Sequence, residues 1–150
     1  MSWGCSIFST AAWGALIEVA ELQGGIDKAT REIAQSYQKT MKSVEELKKQ
    51  INGLELTISD KGHAKTSEEM DQLDSALGML NELTDSLILG SGRAWEEYGR
   101  LEQDCRMNAF EPTGLNDLRD LCKKTEEFAA DLLCYSLARF KRKDTLNGLS

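Results

Sequence analysis

The sequence predicts an all-α fold, an antiparallel bundle of three long coiled-coil-like helices with an N-terminal amphipathic helix. Three observations carry that prediction. Pro112 is the only proline in 150 residues, where average use is about 5%, so almost nothing in the chain forbids a helix. The turn clusters that an all-β chain needs every ~8 to 12 residues are missing. Apolar side chains instead recur three and four residues apart over long stretches, the spacing of one helix face.

The opening stretch, residues 1–25, reads as an amphipathic helical segment, with Phe8, Ala12, Leu16, Val19 and Leu22 on one side and Ser9, Glu18 and Glu21 elsewhere. Gly24-Gly25 is expected to separate it from the three-helix bundle of residues 26–144. The first bundle helix follows a seam of Ile26, Thr30, Ile33, Tyr37, Thr40, Val44, Leu47, Ile51, Leu54 and Ile58. It ends in the polar, glycine-containing stretch Ser59-Asp60-Lys61-Gly62-His63-Ala64-Lys65. Thr66 and Glu69 then have the spacing of a capping box, in which each side chain satisfies the other residue's amide, so a second helix starts near Ser67.

The second seam is Met70, Leu73, Leu77, Leu80, Thr84, Leu87, Ser91, Ala94, Tyr98, Leu101 and Cys105, widened by Leu83, Ile88 and Trp95. Gly90-Ser91-Gly92 lies inside it and either kinks or divides the helix; the unbroken heptad phase favours the kink. Glu111-Pro112-Thr113-Gly114 closes the helix, since proline lacks an amide donor and restricts the residue before it. The third helix is expected over about 115–143, with Leu118, Leu121, Cys122, Phe128, Leu132, Leu133, Leu137 and Phe140 on one broad face. Arg139, Lys141, Arg142 and Lys143 would complement its C-terminal dipole, and residues 145–150 read as a tail. Short turns between long helices make them antiparallel neighbours.

No reaction is spelled out. His63, the only histidine, lies in a glycine-flanked turn and reads as a surface residue rather than a member of a nucleophile system. Glu68-Glu69, Glu96-Glu97 and Glu126-Glu127 are adjacent pairs whose members point about 100° apart on a helix and do not converge. Glu-x-x-His metal motifs are missing, and Gly90-Ser91-Gly92-Arg93 lacks the Lys-Ser or Lys-Thr of a phosphate loop. The expectation is a protein that is not an enzyme and has no cofactor, metal or small-molecule substrate. Cys5, Cys105, Cys122 and Cys134 stand 100, 17 and 12 residues apart, which matches no zinc or redox spacing, so reduced thiols are expected. Cys105 and Cys122 flank the Pro112 turn and read as buried thiols, with approach across the hairpin as the alternative.

A net charge of -7 disfavours nucleic acid as a partner. The apolar opening has no basic residue before Lys28 and contains Glu18 and Glu21, unlike a secretory or mitochondrial leader. No run of about 18 apolar residues occurs, so the expected location is cytoplasmic, with or without peripheral membrane contact. Charge is uneven: residues 66–111 hold 3 basic and 11 acidic side chains, whereas Lys39, Lys42, Lys48, Lys49, Lys61 and Lys65 run toward the first turn. Lys48, Lys49, Lys61, Lys65, Arg139, Lys141, Arg142 and Lys143 are therefore the candidate contacts for an anionic surface. Trp3, Phe8, Trp13 and Leu16 are the candidate contacts of the N-terminal segment, with a helical partner or with a bilayer.

Three stretches resemble the sorting-nexin type of BAR domain. Ser67-Glu68-Glu69-Met70-Asp71-Gln72-Leu73-Asp74-Ser75-Ala76-Leu77 is similar to the opening of its second helix, Leu115-Asn116-Asp117-Leu118-Arg119-Asp120-Leu121 to the start of its third, and Ala138-Arg139-Phe140-Lys141-Arg142-Lys143-Asp144 to the basic stretch late in it. The resemblance spans residues 26–144 and implies a crescent-shaped dimer that binds or senses curved anionic membranes through basic residues. The acidic second helix departs from that pattern and would leave the membrane face to the first and third helices. The expected function is thus a non-enzymatic helical scaffold that self-associates and binds anionic curved membranes. One alternative is a soluble coiled-coil adaptor or secretion-apparatus component that binds partner helices. A minor one is a small helical toxin or effector that inserts its N-terminal helix into a bilayer.

Overall fold

The structure, a computed structural model, describes the backbone of residues 2–148 and the side chains of residues 19–148 apart from His63. Three long helices make up the fold: α1 (Ser2–Lys61), α2 (Ser67–Met107) and α3 (Leu115–Gly148), with one 3-10 turn at Gly62–Ala64. No strand occurs among the described residues. Contacts divide the chain into two compact units, Met1–Ala34 with Arg93–Lys123 and Gln35–Gly92 with Lys124–Ser150, and each helix contributes a segment to both.

Among the described residues, the second unit holds the larger set of buried side chains. Val44, Leu47, Ile51 and Ile58 of α1, Leu73, Ala76, Leu77, Leu80 and Leu87 of α2, and Ala129, Leu132 and Leu146 of α3 are buried together. Apart from Ala76, those of α1 and α2 are the expected seam positions, and burying a leucine among them contributes roughly 1.5–3 kcal/mol. Thr84 takes its place in the apolar row by donating its hydroxyl to the Leu80 carbonyl at 2.7 Å, which leaves no polar atom stranded. Tyr37 of α1 meets Phe128 of α3 edge to face, with ring centroids 5.4 Å apart.

The turn between α1 and α2 is built as the sequence predicts. The Thr66 hydroxyl accepts from the Glu69 amide at 3.2 Å and the Thr66 amide donates to Glu69 Oε2 at 3.3 Å. Lys61 adds an ion pair to the same carboxylate. Together these hold the Glu69 carboxyl below the usual glutamate range, the Lys61 hydrogen bond first and the Thr66 amide after it. Gly62 takes a φ of +54° that its side-chain-bearing neighbours would resist.

In the first unit the described core consists of Ile26, Ala29, Ala94, Leu101, Cys105, Leu118 and Cys122. Cys105 and Cys122 are free thiols in that core. Burial pushes both thiols up, and the Asp104 charge adds to the effect at Cys105, so neither is primed as a nucleophile. α2 ends in a Schellman arrangement ahead of the proline: Phe110 donates to the Cys105 carbonyl at 2.9 Å and Ala109 to the Arg106 carbonyl at 3.1 Å. Ala109 adopts the left-handed conformation, φ 49°, that glycine usually supplies there, and Phe110 folds back onto the core that holds Cys105.

Several expectations need correction. Gly24-Gly25 does not separate an N-terminal segment, because α1 is helical from Ser2 through both glycines. Gly25 instead lets α2 come close, since a Cβ there would sit 3.3 Å from Leu101 Cδ2. Gly90-Ser91-Gly92, by contrast, leaves α2 undivided over Ser67–Met107, in line with the favoured reading. α3 continues to Gly148, so 145–148 are helix rather than tail, with Leu146 fully buried. Consequently no basic residue lies in its last turn. Ile88, one of the residues that widen the α2 stripe, is 44% exposed, and on the broad α3 face Leu133 and Leu137 are 41% and 62% exposed.

Candidate interaction surfaces

The predicted anion-contact residues lie in the second unit, and most of them are engaged by the protein's own groups. Arg139, on the α3 face toward α1, donates from Nη1 to Glu55 Oε1 at 2.6 Å, with the Glu55 side chain only 9% exposed. Tyr135, one turn earlier, carries Arg139 over its ring at 5.4 Å and the Lys48 ammonium at 4.6 Å. Burial, opposed by Arg139 and assisted by Glu55, pushes the Tyr135 hydroxyl up. Within this cluster Glu55 Oε2, Arg139 Nε and Tyr135 Oη have no hydrogen-bond partner.

Lys143 is paired with Asp74 of α2, Lys61 with Glu69, and Lys65 donates to the Leu146 carbonyl. The last of these satisfies a carbonyl of α3's final turn, the task sequence reasoning gave to α3's own basic residues. Five of the eight candidates, Lys48, Lys61, Lys65, Arg139 and Lys143, thus have intramolecular partners. Lys49, Lys141 and Arg142 remain exposed. Arg142 lines a groove of about 380 Å³ with Asn52, Glu55, Leu56, Ser59 and Arg139. The side chains of Trp3, Phe8, Trp13, Leu16 and His63 lie outside the described residues, as does that of Cys5.

The structure adds surfaces that the sequence did not mark. Between α1 and α2 of the second unit a groove of about 480 Å³ has Leu47, Leu83 and Met79 along it and Glu46 and Glu82 at its edges. Met79 is 53% exposed. On α3 the exposed Leu133 and Leu137 follow Ala130, and Glu127, Cys134 and Lys141 run beside them. The spacing of Leu133 and Leu137 was the signal for a helix face. Their exposure was hidden, because periodicity marks a wide stripe without saying how much of it neighbouring helices cover.

In the first unit a cavity of about 500 Å³ at the α2–α3 connection is bordered by Tyr98, Glu102, Cys105, Phe110 and Pro112. Burial first, and then the Glu102 carboxylate it bonds, push the Tyr98 hydroxyl up. No group of three or more His, Cys, Asp or Glu among the described residues is placed to hold a metal ion. Nor is any helix among them long and apolar enough to cross a membrane. No family model, no curated protein and no solved structure matches the chain.

Proposed function

We propose that this chain is a non-enzymatic helical scaffold that self-associates. The observation that carries the reading is the set of large apolar side chains left on the surface of the second unit after its core is complete: Leu56, Met79, Leu89, Leu133 and Leu137 are 65%, 53%, 56%, 41% and 62% exposed. Single exposed leucines are ordinary, but a helix that presents two of them one turn apart offers a face to another helix. Of the BAR resemblance, the reading keeps the self-association. Sedimentation velocity of the full chain over a wide concentration range tests it: a mass that rises with concentration is expected, and a monomer throughout would overturn it.

Contact with an anionic membrane is a second reading, favoured by Lys49, Lys141 and Arg142, which stay exposed. It rests on fewer cations than the sequence offered, against a net charge of -7. Co-sedimentation with phosphatidylserine-containing vesicles tests it. Binding that falls with salt supports it, and protein that stays in the supernatant at low salt removes it.

A further inference from the structure

The outer face of α3 is self-complementary when read in opposite directions. Leu133 and Leu137, with the small Ala130 one turn before them, form the exposed apolar stripe. Beside it runs a flanking row in which Glu127, Cys134 and Lys141 follow one another at intervals of seven residues, all three exposed. Seven residues is two helical turns to within about 20°, so the three lie above one another on one edge of the stripe.

We propose that the occupant of this face is a second copy of the chain, with α3 laid antiparallel against α3 about a two-fold axis near Tyr135. The inference rests on the self-association reading and names its surface. In an antiparallel pair, each flanking row meets the same row of the other helix running the opposite way. Leu133 of one copy then stacks on Leu137 of the other, twice. Glu127 of one copy lies opposite Lys141 of the other, also twice, and the two Cys134 side chains face each other near the axis. Ala130 lets the two backbones approach.

Charge selects the direction. A parallel pair would place Glu127 against Glu127 and Lys141 against Lys141, whereas the antiparallel pair neutralises both ends. Arg142 adds to the positive end; Lys124 before the stripe and Asp144 after it oppose the pattern, so the Glu127–Lys141 pairs carry the direction. Lys143 is taken up by Asp74 and does not contribute. The contact is isologous and therefore closes at a dimer rather than growing into a filament.

The test uses the full chain and its native cysteines. Oxidation with copper phenanthroline should give a covalent dimer whose disulfide maps by mass spectrometry to Cys134 of both copies, and Cys134→Ser should abolish that bond. Leu137→Glu, at a surface position that leaves the core untouched, should abolish the sedimentation dimer while the helical circular dichroism is kept. Lys141→Glu should weaken the dimer on the order of tenfold, since it turns two attractive pairs repulsive, and adding Glu127→Lys should restore it. A dimer that survives Leu137→Glu unchanged and yields no Cys134–Cys134 bond overturns the α3 pairing but leaves self-association standing. A monomer at every concentration overturns both.

Discussion

Gln23 and Thr113, separated by 90 residues, are joined by two hydrogen bonds: the Gln23 amide donates to the Thr113 carbonyl at 2.9 Å, and its oxygen accepts from the Thr113 amide at 3.1 Å. A side chain of α1 thereby takes the place of a backbone partner for the α2–α3 connection, where Pro112 can donate nothing. Gln23→Ala should destabilise the protein by about 1 kcal/mol, read as a lower urea midpoint with an unchanged slope. Gln23→Glu can still accept but cannot donate, so it should also fall below wild type. A midpoint unmoved by either change would show that water replaces the pair.

Ala109 holds a left-handed conformation at the end of α2. The Cβ there costs about 1 kcal/mol that glycine would not, and the two capping bonds from Phe110 and Ala109 are backbone bonds that glycine retains. Glycine's larger entropy in the unfolded chain takes back about half of this, so Ala109→Gly should raise stability by about 0.5 kcal/mol, seen as a higher melting temperature.

Glu69 links the first turn to solution pH. Its folded carboxyl is held below the unfolded value by Lys61 and Thr66, so its contribution is complete above the ordinary glutamate range and is lost as pH falls through the folded value. The stability difference between wild type and Glu69→Gln should accordingly be greatest near neutral pH and close in acid. Denaturant titrations across that range would show two curves converging as pH drops; parallel curves would place the effect elsewhere.

The Glu55–Arg139 pair is buried at the carboxylate end and 28% exposed at the guanidinium. Arg139→Met alone leaves a buried carboxylate without its cation and should cost about 2 to 3 kcal/mol, less than a fully buried pair because water reaches Arg139. Adding Glu55→Met should recover most of the loss. A double-mutant cycle measures the coupling directly.

The sequence shows the bundle through its seams. Every seam position of α2 from Met70 to Cys105 is buried or half-buried, and the Thr66–Glu69 cap forms as its spacing implies. Local periodicity and local caps depend on neighbours three or four residues away, which is why they can be read from one chain. Partners distant in sequence cannot be read that way. Nothing near Glu55 names Arg139, and nothing near Lys65 names Leu146, yet these partners take up two of the eight expected anion-contact residues. Gly25 was legible as a residue that weakens a helix, but its reason is the approach of Leu101. The broad apolar face of α3 is legible, but which part of it stays exposed is not, because neighbouring helices cover less of its circumference than its apolar residues span.

The unequal cores also set a hierarchy of local opening. Among the described residues, four of the seven buried apolar side chains of the first unit are the small Ala29, Ala94, Cys105 and Cys122, whereas the second is filled chiefly by leucine, isoleucine and valine. Amide hydrogens along 73–87 of α2 should then exchange with deuterium only through the rarest openings, and those along 94–105 of the same helix through commoner ones. One uninterrupted helix would thus carry two rates of exposure to solvent, and proteases or modifying reagents would find their first foothold on the side built from alanine and cysteine.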